Sequence, residues 1–356
     1  MQTRYKPIKF PRDESAHNYG IEWWYFNGNL KDKKGNRYAF MDCLFRVNVK
    51  KLGVPLINKI IPGDFYFYFA HSIISDVKNK KNHLNIKPAV LLSKDSFKKP
   101  QLYINYTNPL LINGFDSYVI EKTDLLTYHI ENENLDLKLK TVKNPMLEKG
   151  IGFTDNLGEK SFYYSITNFE ASGMVKINKK EIEVKGKAWM DHQWTNSAGY
   201  YSDKWHWFSI QLENNTEIMC NEYISGAQKS YLAEIMYSNG KHESLNELKL
   251  VPSWIWTSRK TKEKYPLRWK IEIPERKIIL EISASVKNQE VIAGAANYWE
   301  GPIDVKGKFN GKKIKGAGFM ELVGNASPYG KYSIDEIIKS IEKLFKIYAD
   351  NPSRKS

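Results

Sequence analysis

Cysteine is almost missing. Only Cys43 and Cys220 occur in 356 residues, far apart and inside apolar runs. That spacing excludes a disulfide framework and a thiolate metal site. No stretch approaches the roughly 20 apolar residues of a membrane helix. The opening "MQTRYKPIKFPRDESAHNYG" lacks the apolar core of a secretory leader, so a reducing, cytoplasmic setting is expected. No Gly-x-Ser-x-Gly elbow is present, which argues against an α/β-hydrolase. "NGKKIKGAG" lacks the strand–loop–helix context of a phosphate loop. Acidic residues are in the minority: 40 Asp and Glu face 54 Lys and Arg, a formal net charge of +14. The lysines cluster in "KDKKG", "KNKKN" and "NGKKIKG", mostly beside turns, with no Arg-rich arm or recognition helix. Nucleic acid is therefore not an expected partner. The excess admits a peripheral contact with anionic membrane surfaces.

Aromatics, by contrast, are abundant, at 13% with ten Trp and twenty-two Tyr. They suit pleated, half-buried surfaces. Short alternating runs such as "RYAFMDCLFRVNV", "DFYFYFAHSIIS", "LTYHIEN", "WHWFSIQL" and "KIILEISASV" read as strands. "NKKE", "LENNT", "YSNGK" and "FNGKK" mark the turns between them. The expected class is all-β and antiparallel. One helical pattern stands out, over 332–350: Ser333 and Glu336 have capping-box spacing. Ile334, Ile337, Ile338, Ile341, Leu344, Phe345 and Tyr348 form its apolar stripe.

The chain also repeats itself. "KGKAWMD" (185–191) matches "KGAGFME" (315–321), and "WWYFNGNL" (23–30) matches "WHWFSIQL" (205–212). Each pair opens and closes a unit, which predicts two related β domains, at 17–196 and 200–326. The small, polar stretch "TNSAGYYSDK" (195–204) separates them.

"EWWYFNGNL", "AHSIISD", "SFYYSITNFEASGMVKI", "VKGKAWMDHQW", "WHWFSIQLENNTEIM", "YWEGPIDVKG" and "GAGFMELVG" follow in that order from about Asn18 to Gly324. Together they resemble the carotenoid 1,2-hydratase (hydroxyneurosporene synthase) and AttH-like family. The resemblance implies two tandem lipocalin-like antiparallel β-barrels with a cleft for a hydrophobic ligand and no cofactor. Family members include hydratases of acyclic carotenoids and Diels–Alderases of natural-product pathways. The resemblance implies a catalytic His-x-Trp pair, which falls here on His192 and Trp194. It also implies a Tyr-x-Asp on the strand after "WHWF". There the chain departs, reading Asn221, Glu222, Tyr223, which puts carotenoid hydration itself in doubt.

Adding water to an isolated alkene requires a strong proton donor and shelter for a carbocation. A carboxyl of raised pKa in an apolar pocket supplies the first. Aromatic faces supply the second, and an imidazole can orient and deprotonate the water. Asp191 or Glu222 is the expected acid, His192 the base, and Trp194, Trp24 and Trp207 the walls. Asp191 otherwise pairs with a Lys or the backbone. Side chains alternate along a strand, so Asp191 faces one way and His192 and Trp194 the other. Glu22, His71, Tyr223 and Trp299 are further candidates for lining the site. Glu22 beside Trp24 is costly to bury unpaired, and Glu300 in "YWEG" reads as its structural counterpart, which counts against catalysis for both. His71 is otherwise a core histidine. No metal is expected: His206 and His192 lack a carboxylate at ligand spacing. The overall expectation is cofactor-independent hydration or isomerisation of a C=C bond in an isoprenoid-like substrate. A non-catalytic lipid carrier and a pericyclase are the alternatives.

Overall fold

Twenty-two strands and three short 3-10 turns form among the described residues, 6–48, 50–51, 65–93, 101–107, 117–197, 203–293 and 296–324 of a computed structural model. The helix expected at 332–350 lies outside them. The first sheet has twelve strands. They are β1 (Ile21–Lys31), β2 (Arg37–Val47), β3 (Phe65–Asp76), β4 (Lys81–Ser93), β5 (Tyr103–Thr107), β6 (Ser117–Lys122), β7 (Thr127–Glu131), β8 (Leu135–Thr141), β9 (Met146–Leu147), β10 (Phe153–Asn156), β11 (Glu159–Ile177) and β12 (Lys180–Thr195). The second has ten. They are β13 (Lys204–Leu212), β14 (Glu217–Ser225), β15 (Gln228–Met236), β16 (His242–Leu245), β17 (Lys249–Thr257), β18 (Lys264–Ile273), β19 (Ile278–Ala284), β20 (Glu290–Ala293), β21 (Ala296–Phe309) and β22 (Lys312–Val323).

Each sheet joins its first strand to its last. β1 pairs antiparallel with both β2 and β12, and β13 with both β14 and β22. The repeated motifs occupy these strands. In the first sheet Tyr25 lies opposite Asp191, and in the second Trp207 lies opposite Glu321. The hairpin tips follow local chemistry. Asn178 and Lys179 turn β11 into β12 with φ of 51° and 67°, and Asn310 and Gly311 turn β21 into β22 with φ of 48° and 78°. Two successive left-handed residues give the primed turn that matches strand twist.

Strand alternation then builds three cores. Trp24, Phe26, Phe40, Leu44, Tyr118, Ile130, Leu137, Tyr164 and Trp194 share the interior of the first sheet. That sheet curls on itself: Tyr118 on β6 donates to Asp42 on β2, and Asn132 Nδ2 donates to Asp42 Oδ1 at 3.0 Å. Phe208, Cys220, Ile235, Trp269, Leu280 and Trp299 fill the second. The outward faces of both sheets pack together in a third core that includes Tyr25, Met41, Cys43, Tyr163 and Trp189 from one side and Trp207, Met219, Leu232, Tyr298 and Phe319 from the other. Arg37 Nη2 donates across this seam to Asp304 Oδ1 at 2.7 Å, and Gln211 Nε2 to the carbonyl of Ala188 at 3.0 Å.

The closing strand of the second sheet runs so near β13 that a Cβ on Gly318 would stand 1.8 Å from the carbonyl oxygen of Ser209. Only backbone movement relieves that overlap. Gly318→Ala is expected to cost about 1–3 kcal/mol and to lower the thermal midpoint by several degrees, read by calorimetry.

Candidate active site

One strand, β12, carries "WMDHQW", and its two faces enter different environments. On the inner face His192 is fully buried. Its Nε2 lies 2.9 Å from Glu22 Oε1 and its Nδ1 3.2 Å from the Tyr164 hydroxyl. Trp24 stacks on the imidazole at 4.7 Å, and Trp194 lies 4.8 Å away. His17, from the segment preceding β1, stacks on Trp194 at 3.8 Å and reaches Glu22 Oε1 through Nδ1 at 2.7 Å. Arg46 Nη1 donates to the other Glu22 oxygen at 3.1 Å.

Burial alone would raise the Glu22 carboxyl. The charge on His17, hydrogen bonds from His17 and His192, and Arg46 instead pull it down to about 2. Desolvation pulls His192 down to about 4, so it is neutral. Among the described residues His17, Glu22 and His192 form one group able to hold a metal ion, with ligand atoms within 4.8 Å of one another. As built, they form a continuous hydrogen-bonded chain with Tyr164, closed by a guanidinium where a second cation would be repelled.

The same segment covers this end of the first sheet. Phe10 meets Tyr164 edge-on at 4.9 Å, Trp24 Nε1 donates to the Glu14 carbonyl at 3.1 Å, and Lys122 Nζ holds Glu14 Oε1 at 2.8 Å.

The outer face belongs to the seam. Asp191 takes no lysine. Tyr163 donates to its Oδ2 at 2.6 Å, while Ser165 and Trp189 donate to Oδ1 at 2.7 and 2.6 Å. Burial pushes Asp191 up to about 6 against those three bonds. Glu300 and Glu321 are direct cross-strand neighbours on β21 and β22. Desolvation, then the negative charges of Glu321 and Asp191, raise Glu300 well above the carboxylate range; Tyr25 opposes this, donating to its Oε1 at 2.7 Å. Glu300 Oε2 has no hydrogen-bond partner. Glu321 is raised by burial to about 7, with Trp205 Nε1 donating at 3.1 Å. His71 Nδ1 pairs with the Tyr298 hydroxyl at 2.7 Å and is held neutral by desolvation, at about 4. Trp207 Nε1 donates to Tyr163 at 3.1 Å. Trp23, Phe45 and Trp205 pack half-buried against this cluster, and Phe45 and Phe69 stack at 4.7 Å beside His71. Farther along, Ser165 lies 3.2 Å from Glu148, which is buried, raised and adjacent to Glu234.

Several expectations are corrected. Asp191 and His192 cannot act on one ligand, because alternation along β12 sends them into separate cores. Glu222 lies apart from both, on the face of β14 that turns into the second sheet. Burial would raise it, but His206, Lys229 and Tyr231 hold it at about 2, the opposite of the raised carboxyl expected of the acid. Tyr223 stands on the seam side and donates to Asp203 at 2.5 Å. Trp299 belongs to the second interior and donates to the Lys287 carbonyl at 2.7 Å. Glu300 is not the counterpart of Glu22: burial raises the one at the seam, while His17, His192 and Arg46 lower the other inside the first sheet. His206 and His192 sit in different sheets. Glu321, Tyr25 and Tyr298 were missed, although the motif pair "KGKAWMD" and "KGAGFME" already aligns Glu321 with Asp191.

The architecture defines a class: two successive lipocalin-like antiparallel units joined face to face. A family model described as AttH-like matches residues 2–325, and the chain belongs to that family. Dehydratase asqC of Emericella nidulans is 20% identical over 229 residues, 59% of this chain and 65% of its own length. Kievitone hydratase of Fusarium solani subsp. phaseoli is 24% identical over 225 residues, 59% of this chain and 63% of its own. This chain therefore spans less than two thirds of either. Among solved structures, an AttH from Nitrosomonas europaea shares the fold with a TM-score of 0.75, at 23% identity over 90% of this chain and 98% of that one. Kievitone hydratase from Nectria haematococca does so at 0.68, with 15% identity over 89% and 93%.

The raised acids generate a pH prediction. A carboxyl with a higher pKa folded than unfolded binds more protons when folded. The contribution of Glu321 is complete below its unfolded value of 4.5 and is lost as pH rises through its folded value near 7. Stability measured by urea unfolding should decline across that window. Glu321→Gln should flatten the decline and stabilise the protein at about pH 8, by on the order of 3 kcal/mol.

Proposed function

We propose that the protein is a cofactor-independent hydro-lyase that adds water to, or removes it from, a C=C bond of a hydrophobic, isoprenoid-like substrate at the seam. The observation carrying this reading is the Glu300–Glu321 pair. Two adjacent carboxyls in the seam are both raised, Glu321 to about 7 and Glu300 well above the carboxylate range, and Glu300 presents an oxygen with no partner.

A protonated Glu300 transfers its proton to the alkene carbon that leaves the more substituted cation. The Glu300 carboxylate so formed keeps the hydrogen bond from Tyr25. Indole faces of Trp205 and Trp207 stabilise the cation through their ring quadrupoles. Water held by the neutral imidazole of His71 adds to the cation, and its released proton returns to Glu300. Run backwards, the same steps dehydrate a tertiary alcohol. The curated relatives, a dehydratase and a hydratase by name, support this reaction class. In this reading the inner network of Glu22, His17, Arg46 and His192 holds the fold, and Trp24 and Trp194 are its packing.

The test is incubation of the protein with acyclic prenyl lipids in oxygen-18 water, followed by mass spectrometry. Labelled tertiary alcohol is expected. Glu300→Gln should lower kcat by roughly 10²–10⁴-fold and His71→Gln should also lower it, whereas His192→Gln should act mainly on stability. Loss of turnover in a folded His192→Gln protein, with Glu300→Gln active, would move the chemistry to the inner face of β12. Lipid retained unchanged would make the protein a carrier.

A further inference from the structure

Strand β17 is an edge of the second sheet among the described strands, and its side chains are unusual for an edge. Val251 and Ile255 are each 50% exposed, and Trp254 and Trp256 on the same strand are half-buried, packed against the rim of the second interior. The turn leading to β18 reads Arg259, Lys260, Thr261, Lys262, Glu263, Lys264, and all four cations are exposed. This tip is rigid: the buried Glu290 accepts hydrogen bonds from both Ser258 and Thr261. Lys287 Nζ and the Arg268 guanidinium stand 4.9 and 5.6 Å from the Trp254 ring centroid. Next to them a hollow of about 420 Å³ opens between Ser253, Arg268, Lys270, Glu281, Ser283 and Lys306, with Lys306 paired to Glu281 at 3.0 Å.

We propose that this hairpin and hollow dock the protein on an anionic phospholipid bilayer. Exposed aliphatics gain nothing from a polyanion in water, but they do from the acyl boundary. Half-buried tryptophans suit the headgroup depth, and each cation near an anionic surface adds attraction. Addition of a partner strand is disfavoured, since Pro252 lacks an N–H and the β17–β18 register is irregular from Pro252 to Ile255. The surface also sits beside the seam: Val291, next to the anchoring Glu290, belongs to the seam core and pairs with Tyr298, which holds His71. A hydrophobic substrate leaving a bilayer at this hairpin would meet the seam directly.

The experiment is flotation of the full chain with vesicles of equimolar phosphatidylglycerol and phosphatidylcholine, against pure phosphatidylcholine. Binding to the anionic vesicles alone, weakened by salt, is expected. R259E/K260E/K262E should reduce partitioning roughly a hundredfold, and V251S/I255S should reduce it with the charge unchanged. K31E/K33E/K34E removes equal charge from another hairpin tip and should leave most of the binding. Thermal midpoints of all variants show that they are folded. Failure to float, or equal losses from both charge variants, would overturn the proposal. Neither outcome bears on turnover of dispersed substrate, which tests the seam separately.

Discussion

Water solvates a carboxylate so well that burying one costs several kcal/mol even after the surroundings relax. Such a group must keep its charge beside cations or several hydrogen-bond donors, or surrender the charge to a proton. Glu22 takes the first course, locked by His17 and Arg46 with His192 as a neutral donor. Glu300 and Glu321 take the second, because no cation stands among the causes that shift them: burial raises both, Glu321 and Asp191 raise Glu300 further, and Asp191 raises Glu321. β12 lies between the two solutions. Its inner face is saturated with hydrogen bonds, whereas the seam holds protons and an unpartnered oxygen. That asymmetry is why the proposed reaction is placed at the seam rather than in the interior of the first sheet.

Much of the fold was legible in local chemistry. Asn310-Gly311 must turn, and the alternation in "LDLKLK" must present one apolar face; the burial along β8 follows it residue by residue. The motif repeat pointed to the first and last strands of each sheet because duplicated strands keep duplicated neighbours. The opposite facing of Asp191 and His192 was also readable. What faced Asp191 was not. Tyr25 and Glu300 are 275 positions apart, and two sheets meeting back to back leave no periodic trace. Glu300 was thus misjudged by its neighbour Trp299, which points the other way. His17 and Arg46 were invisible as partners of Glu22 for the same reason. Nothing local distinguishes a histidine in an irregular lead-in segment from a solvated one.

Fold and reaction remain separate conclusions. The AttH-like architecture sets two sheets against each other and so creates a seam, but any chemistry there depends on a few side chains. In this chain the strand after "WHWF" offers Asn221 to the seam and turns Glu222 into the second interior, beside His206 and Lys229. In the proposed reaction the acids therefore come from β21 and β22, on strands that also close the second sheet. Catalytic groups carried on central, doubly paired strands are held more firmly than groups on loops.

The register of the closing strands has one more consequence. Ile21 lies opposite Thr195, and Trp205 opposite Val323, so each unit is entered and left at the same corner. A segment whose two ends touch can be copied, and the copy begins where the original stopped, without threading the chain around its predecessor. Added length placed between the middle strands lies away from that corner. Gene duplication with unequal later growth, giving twelve strands in one half and ten in the other among the described residues, is the history that such a geometry permits.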